Sequence, residues 1–283
     1  MAEQRQPAKL TRSWWWLLLI FSMIGRRRLR KSFRAVRMMN VDGLRNLSGG
    51  PVVIYLNHPS WWDPIVCAEL ARRLLPGRKH RAPISAASLK QYKFFRNMGM
   101  FPVEQDSPRG AVQFLRAATS VLAADGVLWI TAQGHFTDVR VRPTELKSGL
   151  GALLQRSENV TVIPLAVEYT FWNQRLPEVL LAVGTPMYVS SPKQKSAAEW
   201  TQLLQGHLEA TQDRLQAASI GRDASAFTTL LQGRRGTAGP YGWWQRTRAQ
   251  LRGEIYQPDH LDGSIEERSA GVVPLPVAPE VPR

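Results

Sequence analysis

The sequence of 283 residues is long enough for one large domain or two small ones, and its 44% hydrophobic residues can supply a substantial core. Lysine and arginine number 37 against 22 acidic residues, and this net charge of +15 indicates a polyanionic partner: nucleic acid, an anionic membrane surface or a phosphorylated substrate. The single cysteine, Cys67, excludes an intrachain disulfide, so the fold needs no oxidising compartment.

The N-terminal segment narrows the choice of polyanion. Residues 14–24 read WWWLLLIFSMI, an apolar run in which only Ser22 is polar. A membrane-spanning helix needs about 20 apolar residues, and no small-residue cleavage site follows, so the run resembles neither a transmembrane helix nor a cleaved signal. The residues that follow are rich in cations, namely Arg26, Arg27, Arg28, Arg30, Lys31, Arg34 and Arg37.

Two interpretations of residues 1–40 are open: a buried core helix with a solvated basic end, or a helix that lies in the membrane interface. Tryptophan prefers the headgroup boundary, and clustered cations attract anionic lipid at roughly 1 kcal/mol per residue, which favours the second interpretation. We therefore predict a membrane-interface helical segment, with the protein on the cytoplasmic face of a membrane as a peripheral or monotopic protein.

Downstream, turn residues separate apolar runs that predict alternating strands and helices. The predicted strands cover residues 52–56, 82–86, 101–104, 127–131, 160–169 and 179–183. The predicted helices cover residues 63–75, 90–98, 107–124, 149–156 and 197–218. This order indicates an α/β domain over residues 41–220, with a largely parallel central sheet flanked by helices. Residues 221–283 are predicted to form a basic, aromatic extension and a proline-rich, disordered tail.

The stretch PVVIYLNHPSWWDP, residues 51–64, carries the chemistry of greatest interest. His58 follows an apolar strand, and reactive groups of open α/β sheets gather where strands end. A neutral imidazole can accept a proton from a hydroxyl near pH 7 if a carboxylate such as Asp63 holds its other nitrogen in the right tautomer. The competing interpretation is structural, because Asp63 before Pro64 is a favourable helix N-cap followed by an N1 proline.

Four blocks of the sequence carry a resemblance to a known family. The Asn57–His58–x4–Asp63 box resembles the signature of the glycerol-phosphate and lysophospholipid acyltransferases, which include the 1-acylglycerol-3-phosphate acyltransferases. Three further blocks follow in that family's order, over a similarity of about residues 40–190: GMFPVEQD at 99–106, TAQGHF at 131–136 and VIPLA at 162–166.

The resemblance implies a membrane-associated O-acyltransferase. His58 would deprotonate an acceptor hydroxyl, which attacks the thioester of acyl-CoA or acyl carrier protein, while Asp63 orients the histidine. Gly134 would let backbone amides approach the developing oxyanion. The partners implied are an acyl thioester donor, a lipid acceptor and an anionic membrane surface. No cofactor and no metal are expected, and no Cys/His cluster with zinc-ligand spacing occurs.

Two departures from the family pattern affect the acceptor. Gln105 and Phe136 stand where the family has arginines associated with an acceptor phosphate, and neither an amide nor a phenyl ring supplies a charged fork. Either other cations substitute from new positions, or the acceptor carries no phosphate at that place. The predicted substrate-binding residues are accordingly Asn57, Arg109, Gln133, Gly134 and Arg140.

Two other functions compete with the enzyme. A catalytically inactive lipid-binding or membrane-scaffold protein on the same fold would explain the altered blocks, although the retained His58 and Asp63 favour catalysis. A nucleic-acid binder is suggested by charge alone. The cations cluster beside an apolar tryptophan run instead of alternating with aromatic residues, so no nucleic-acid partner is predicted.

Overall fold

The computed structural model describes residues 15–47, 49–234, 248 and 251–252. The chain divides into a large unit, Met1–Trp172 with Leu176–Arg234, and a small unit, Asn173–Arg175 with Arg235–Arg283. In the small unit, the amide of Arg252 donates a hydrogen bond to the carbonyl of Arg248. The helices and strands given below belong to the large unit.

Strands and helices alternate along most of the large unit. The strands are β1 (Ala35–Met39), β2 (Val52–Leu56), β3 (His80–Ser85), β4 (Met100–Val103), β5 (Val127–Thr131), β6 (Val160–Thr170), β7 (Glu178–Val183), β8 (Met187–Val189) and β9 (Thr228–Gln232). The helices are α1 (Trp15–Ser32), α2 (Asp42–Arg45), α3 (Asp63–Leu74), α4 (Ala86–Gln91), α5 (Phe94–Asn97), α6 (Pro108–Leu122), α7 (Gly149–Leu154) and α8 (Ala197–Gly221).

All of these strands join one sheet in the order β4-β3-β5-β2-β6-β7-β1-β9, with β8 paired to the start of β6. Strands β2 to β6 run parallel to one another, whereas β7 is antiparallel to β6 and β9 is antiparallel to β1. The predicted α/β class with a largely parallel central sheet flanked by helices is therefore confirmed. We call the edge at which β2, β3, β5 and β6 end the carboxyl edge.

The central strand β2 is buried along its whole length, as its unbroken apolar sequence requires. Val52, Ile54 and Leu56 pack on the face covered by α1 and α3. Val53 and Tyr55 pack on the opposite face, which α6, α7 and α8 cover. Because both faces of β2 are buried, the end of the strand is held rigidly. This fixes the position of the residues that follow it.

Sequence analysis missed three strands and misjudged some helices. Strands β1, β8 and β9 were not predicted, and β1 and β9 lie outside the predicted domain bounds of 41–220, which stay a prediction. The single helix predicted over 90–98 is wrong, because two short helices, α4 and α5, occupy that region. The stretch around residues 41–44, with its turn-like Asp42–Gly43, forms the short helix α2 instead.

Helix α1 crosses the first turns of α3 at close range. A Cβ atom on Gly25 would lie 2.8 Å from Cγ2 of Ile65, so the glycine permits this crossing. Arg26 pairs with the buried Glu69 at 3.2 Å, and Phe21 makes an edge contact with Phe95. The outward side of α1 exposes large apolar side chains, namely Trp16, Leu19, Ile20, Met23 and Ile24. None of the helices in the described part of the chain has the length and apolar character needed to cross a membrane.

Candidate active site

His58 and Asp63 form a hydrogen-bonded pair at the carboxyl edge. β2 ends at Leu56, and His58 Nδ1 lies 2.5 Å from Asp63 Oδ2 at the start of α3. A carboxylate oxygen only accepts hydrogen bonds, so Nδ1 carries the proton and the lone pair of Nε2 is free to accept another. The histidine side chain is 16% exposed while that of Asp63 is 0% exposed. Nδ1 of His58 is therefore bonded to a buried carboxylate, while the imidazole ring remains accessible to solvent.

The carboxylate of Asp63 has two further donors. Oδ2 accepts the backbone N–H of Ser60 at 3.2 Å, and Oδ1 accepts the hydroxyl of Tyr169 at 2.6 Å. The helix-cap interpretation of Asp63 is wrong, because the cap position is Trp62 and the carboxylate bonds to groups outside the helix. The side chain thus bonds to the histidine and to the loop before α3. All three of its partners donate, as they must, because a carboxylate only accepts hydrogen bonds.

Tyr169 is a site residue that sequence analysis did not single out. β6 continues five residues beyond the level of Leu56, which pairs with Leu165, so Tyr169 projects past the end of β2. Burial, followed by the nearby Asp63 carboxylate, raises the pKa of Tyr169 well above its usual range. The phenol therefore remains a protonated donor. Only the register between β2 and β6, which the sequence does not display, could have revealed this position.

Asn57 and Gln133 tie the histidine loop to its neighbours. The buried amide of Asn57 donates to the carbonyl of Val167 at 2.9 Å and accepts that residue's N–H at 2.8 Å. Gln133, also buried, accepts the backbone N–H of His58 at 2.9 Å. Both residues were predicted to contact substrate. The structure gives both amides backbone partners on either side of β2, where they hold His58 in place, and their contact with substrate stays a prediction.

The second and third sequence blocks meet at Gly134. Gln105 donates from Nε2 to the carbonyl of Gly134 at 2.9 Å. Gly134 has a φ of +74°, a left-handed conformation that favours glycine, and its N–H donates to the carbonyl of Thr131 at 3.1 Å. The N–H of Gly134 is thus engaged in its own turn. The predicted role of this glycine near an oxyanion rests on the turn that it permits and not on this donor.

Phe136 covers one side of the histidine ring. The two ring centroids are 4.4 Å apart at an interplanar angle of 44°, and Phe136 is 59% exposed. The backbone N–H of Thr137 donates to the carbonyl of His58 at 2.9 Å, which fixes this loop against the histidine. An apolar ring therefore occupies the position beside the imidazole where the resembling family carries an arginine.

The cations predicted to bind substrate are paired with nearby carboxylates. Arg109 lies 3.7 Å from Glu104, and Arg140 forms a two-pronged interaction with Asp138 at 2.7 and 2.9 Å. These bonds from Arg140 hold the pKa of Asp138 well below its usual range. The side chains of Arg109 and Arg140 are each 78% exposed, so a ligand would have to compete with both water and a carboxylate.

The described part of the chain contains no candidate metal-binding site. Among those residues, no group of three or more His, Cys, Asp or Glu side chains is placed to hold an ion.

The fold and the site together define an α/β protein with a histidine–carboxylate pair at the carboxyl edge of its sheet. The acyltransferase family model matches residues 38–168, which include β2 to β5 and all the site residues described above except Tyr169. Residues 38–168 are therefore an acyltransferase domain of the glycerol-phosphate and lysophospholipid acyltransferase family, and the protein is an acyltransferase enzyme. A search of curated proteins gave no match to the chain. Family membership implies an acyl donor and a lipid acceptor.

Proposed function

We propose that the enzyme is a membrane-associated O-acyltransferase that moves a fatty acyl group from acyl-CoA or acyl carrier protein to a hydroxyl of a lipid-like acceptor. His58 is the general base and Asp63 orients it. The observation that carries this proposal is the 2.5 Å contact between Nδ1 and Oδ2, because it leaves Nε2 as the proton acceptor on an accessible ring.

The proton movements balance without a metal or redox cofactor. Nε2 of His58 takes the proton of the acceptor hydroxyl as its oxygen attacks the thioester carbonyl carbon. The tetrahedral intermediate collapses, the carbon–sulfur bond breaks, and the imidazolium returns the proton to the departing thiolate. The products are an ester and a free thiol. Asp63 stabilises the imidazolium in the interval, as a buried carboxylate at hydrogen-bond distance does in related arrangements.

Tyr169 acts as a positioning residue in this scheme. Its hydroxyl fixes Oδ1 of Asp63, so the carboxylate cannot rotate away from His58 without breaking a 2.6 Å bond. Asn57 and Gln133 restrain the histidine backbone on two sides. Catalysis benefits because a pair held in one geometry requires little reorganisation when the proton moves.

We propose that the acceptor carries no phosphate next to the histidine. Phe136 places a phenyl ring 4.4 Å from the imidazole, and Gln105 uses its amide nitrogen on the carbonyl of Gly134. Neither side chain can form the two-pronged charged contact that arginine makes with a phosphate. A neutral glycolipid or another lipid alcohol fits this surface better than glycerol 3-phosphate or lysophosphatidate.

Exposed aromatic side chains support the proposed membrane association. Trp61, Phe136 and Phe171 follow the ends of β2, β5 and β6 respectively, and each is largely exposed. They share the carboxyl edge with His58, and α1 exposes further large apolar side chains. Aromatic residues favour the headgroup region of a bilayer, so this edge suits a peripheral protein on the cytoplasmic face. A catalytically inactive lipid-binding protein is not favoured, because the catalytic pair is fully assembled.

Thiol release tests the proposal directly. Purified protein in vesicles is given acyl-CoA or acyl carrier protein with a panel of acceptors: glycerol 3-phosphate, lysophosphatidate, neutral glycolipids and larger lysophospholipids. Release should depend on both acceptor and His58, and His135→Ala serves as the matched control for His58→Ala because His135 is exposed in the adjacent loop. Equal release by wild type and His58→Ala would reject His58 as the base.

A further inference from the structure

A cationic groove lies between the C-terminal half of α1 and the chain that leaves β9. Its volume is about 650 Å³. Its charged lining consists of Arg26, Arg27, Arg30, Lys31 and Arg234, with Met23 as its apolar member. Helix α1 and Arg234 are at opposite ends of the large unit's sequence, so the groove exists only in the folded protein.

Backbone and side-chain hydrogen bonds hold the two sides of this groove together. The N–H of Arg234 donates to the carbonyl of Arg30 at 2.9 Å, and Nε of Arg30 donates to the carbonyl of Gln232 at 3.2 Å. Gly233 permits the close approach, because a Cβ atom there would lie 1.8 Å from the carbonyl oxygen of Phe33. The chain after β9 is therefore held against the last turns of α1, which places Arg234 beside the cations of the helix.

Carboxylates in the described part of the chain neutralise only a minority of the charge in the groove. Arg26 pairs with Glu69. Within the described part of the chain, no carboxylate lies within 4.0 Å of the four other cations, Arg27, Arg30, Lys31 and Arg234. These four cations line one groove and repel one another. A bound anion that contacts more than one of them would reduce this repulsion.

The register of the sheet places the groove at the carboxyl edge. Gln232 of β9 pairs with Ala35 of β1, Ala35 pairs with Glu178 of β7, and Glu178 pairs with Thr170 at the end of β6. In the order β2-β6-β7-β1-β9, the strand that leads into the groove lies four strand spacings, or roughly 19 Å, from the histidine strand. The end of β9, which leads into the groove, and His58 therefore lie at the same edge of the sheet.

Apolar surface adjoins the cations. Met23 lines the groove and is 68% exposed, and Ile20 and Leu19 continue the exposed apolar side of α1 one turn towards its N-terminus. A free nucleotide or inorganic phosphate has no aliphatic chain that could pack against this apolar surface. A phospholipid has both parts, because its phosphate is anionic and its acyl chains are apolar.

We propose that this groove binds the headgroup of an anionic phospholipid, with Met23 and its apolar neighbours on α1 against the acyl chains. The bound lipid holds the carboxyl edge, and with it His58, towards the bilayer. This inference rests on the membrane association in the proposed function, and it adds a discrete site to what would otherwise be a diffuse attraction of a basic surface.

A pair of charge-matched variants tests the site. Arg27→Gln with Lys31→Gln removes one arginine and one lysine from the groove. Arg116→Gln with Lys193→Gln removes the same charges from exposed positions elsewhere, on α6 and after β8. Binding is measured by sedimentation with phosphatidylcholine vesicles, with and without about 30% phosphatidylglycerol, at matched salt. The groove variant should bind anionic vesicles roughly 10- to 30-fold more weakly than wild type, and the control variant should lose far less.

Three results would overturn the proposal. Equal weakening in both variants would mean that net charge acts diffusely, and unchanged binding in both would mean that the groove takes no lipid. Retained vesicle binding with a raised KM for acyl-CoA in the groove variant would assign the cations to the donor's phosphates. A failure of the proposed catalysis can be distinguished from a failure of the lipid site. If vesicle binding depends on the groove but thiol release does not depend on His58, the lipid site is upheld and the proposed catalysis is rejected.

Discussion

Tyr169 and Asp63 are joined by a 2.6 Å hydrogen bond although 106 positions separate them in the sequence. The two carboxylate oxygens have different partners. Oδ1 accepts a hydrogen bond from the phenol, while Oδ2 accepts hydrogen bonds from Nδ1 of His58 and from the N–H of Ser60. The carboxylate is thereby fixed in rotation. Phe33 packs against the tyrosine ring at a centroid distance of 5.7 Å and against Trp62 at 5.0 Å, which closes this end of the core.

Removing the Tyr169 hydroxyl should slow turnover and leave substrate binding intact. We expect Tyr169→Phe to lower kcat roughly 3- to 10-fold with little change in KM, and to cost about 1–2 kcal/mol of unfolding free energy, because one buried hydrogen bond to a charged group is lost. Steady-state kinetics and urea unfolding measure the two effects. Tyr188→Phe is the matched control, since Tyr188 is exposed and its hydroxyl donates to Asn159 at 2.9 Å, away from the catalytic pair. A kcat equal to that of wild type would contradict the positioning role.

Asp63→Asn should cripple catalysis by changing the histidine tautomer. The amide oxygen can still accept one donor, but an amide nitrogen facing Nδ1 would itself donate, which favours the proton on Nε2 and removes the base. We expect kcat to fall by roughly 10³–10⁴-fold while near-ultraviolet circular dichroism remains native. An Asn variant that keeps more than about a tenth of wild-type turnover would argue against His58 as the proton acceptor.

Gln133 should matter through its acceptor oxygen. Gln133→Ala leaves the N–H of His58 without its 2.9 Å partner, and we expect a loss of about 1–3 kcal/mol in unfolding free energy together with reduced kcat. Gln133→Glu retains an acceptor at the same reach and should recover most of the lost turnover. If the Ala and Glu variants behave alike in kinetics and unfolding, the bond to His58 does not position the loop.

Phe136→Arg should alter acceptor preference. The substitution places a guanidinium beside the imidazole, where it could contact an acceptor phosphate in the two-pronged manner that the phenyl ring cannot. We expect the ratio of kcat/KM for lysophosphatidate to that for a neutral glycolipid to rise roughly tenfold or more, the gain of one charge-assisted contact. Phe136→Leu is the control, because it keeps an apolar side chain and should leave the ratio near that of wild type.

Two buried tyrosines predict a loss of stability at alkaline pH. Burial raises the pKa values of Tyr55 and Tyr169 above the value of about 10 expected in the unfolded chain. Below pH 9 both states are protonated at these positions, so neither tyrosine makes stability depend on pH. Above pH 10 the unfolded chain releases protons that the folded protein retains, and the free energy of unfolding falls.

Urea unfolding between pH 9 and pH 11 measures this dependence. Tyr169→Phe removes one of the two tyrosines and should make the decline shallower than in wild type. A decline of equal steepness in the two proteins would show that Tyr169 ionises as readily in the folded state as in the unfolded chain.

Local pattern in the sequence carried much of the fold. The apolar run of β2, the Ser107–Pro108 start of α6 and the long helix α8 were all placed within a few residues, because apolar runs and capping residues act locally. β1 and β9 were missed for the opposite reason. β1 follows a basic run and pairs with β7 and β9, whereas β9 follows a long helix and pairs with β1, so both strands depend on distant partners.

By itself, the sequence predicted the resemblance to the acyltransferases, the α/β class and the catalytic pair of His58 and Asp63. His58 and Asp63 are only five residues apart, one just after a strand and the other at the start of a helix, so a short loop keeps the two side chains close. Tertiary structure decided the rest: the bond from Tyr169 to Asp63, the acceptor role of Gln133, and the approach of Arg234 to Arg30. Those contacts join distant segments, and only strand register and helix packing set which distant residues meet.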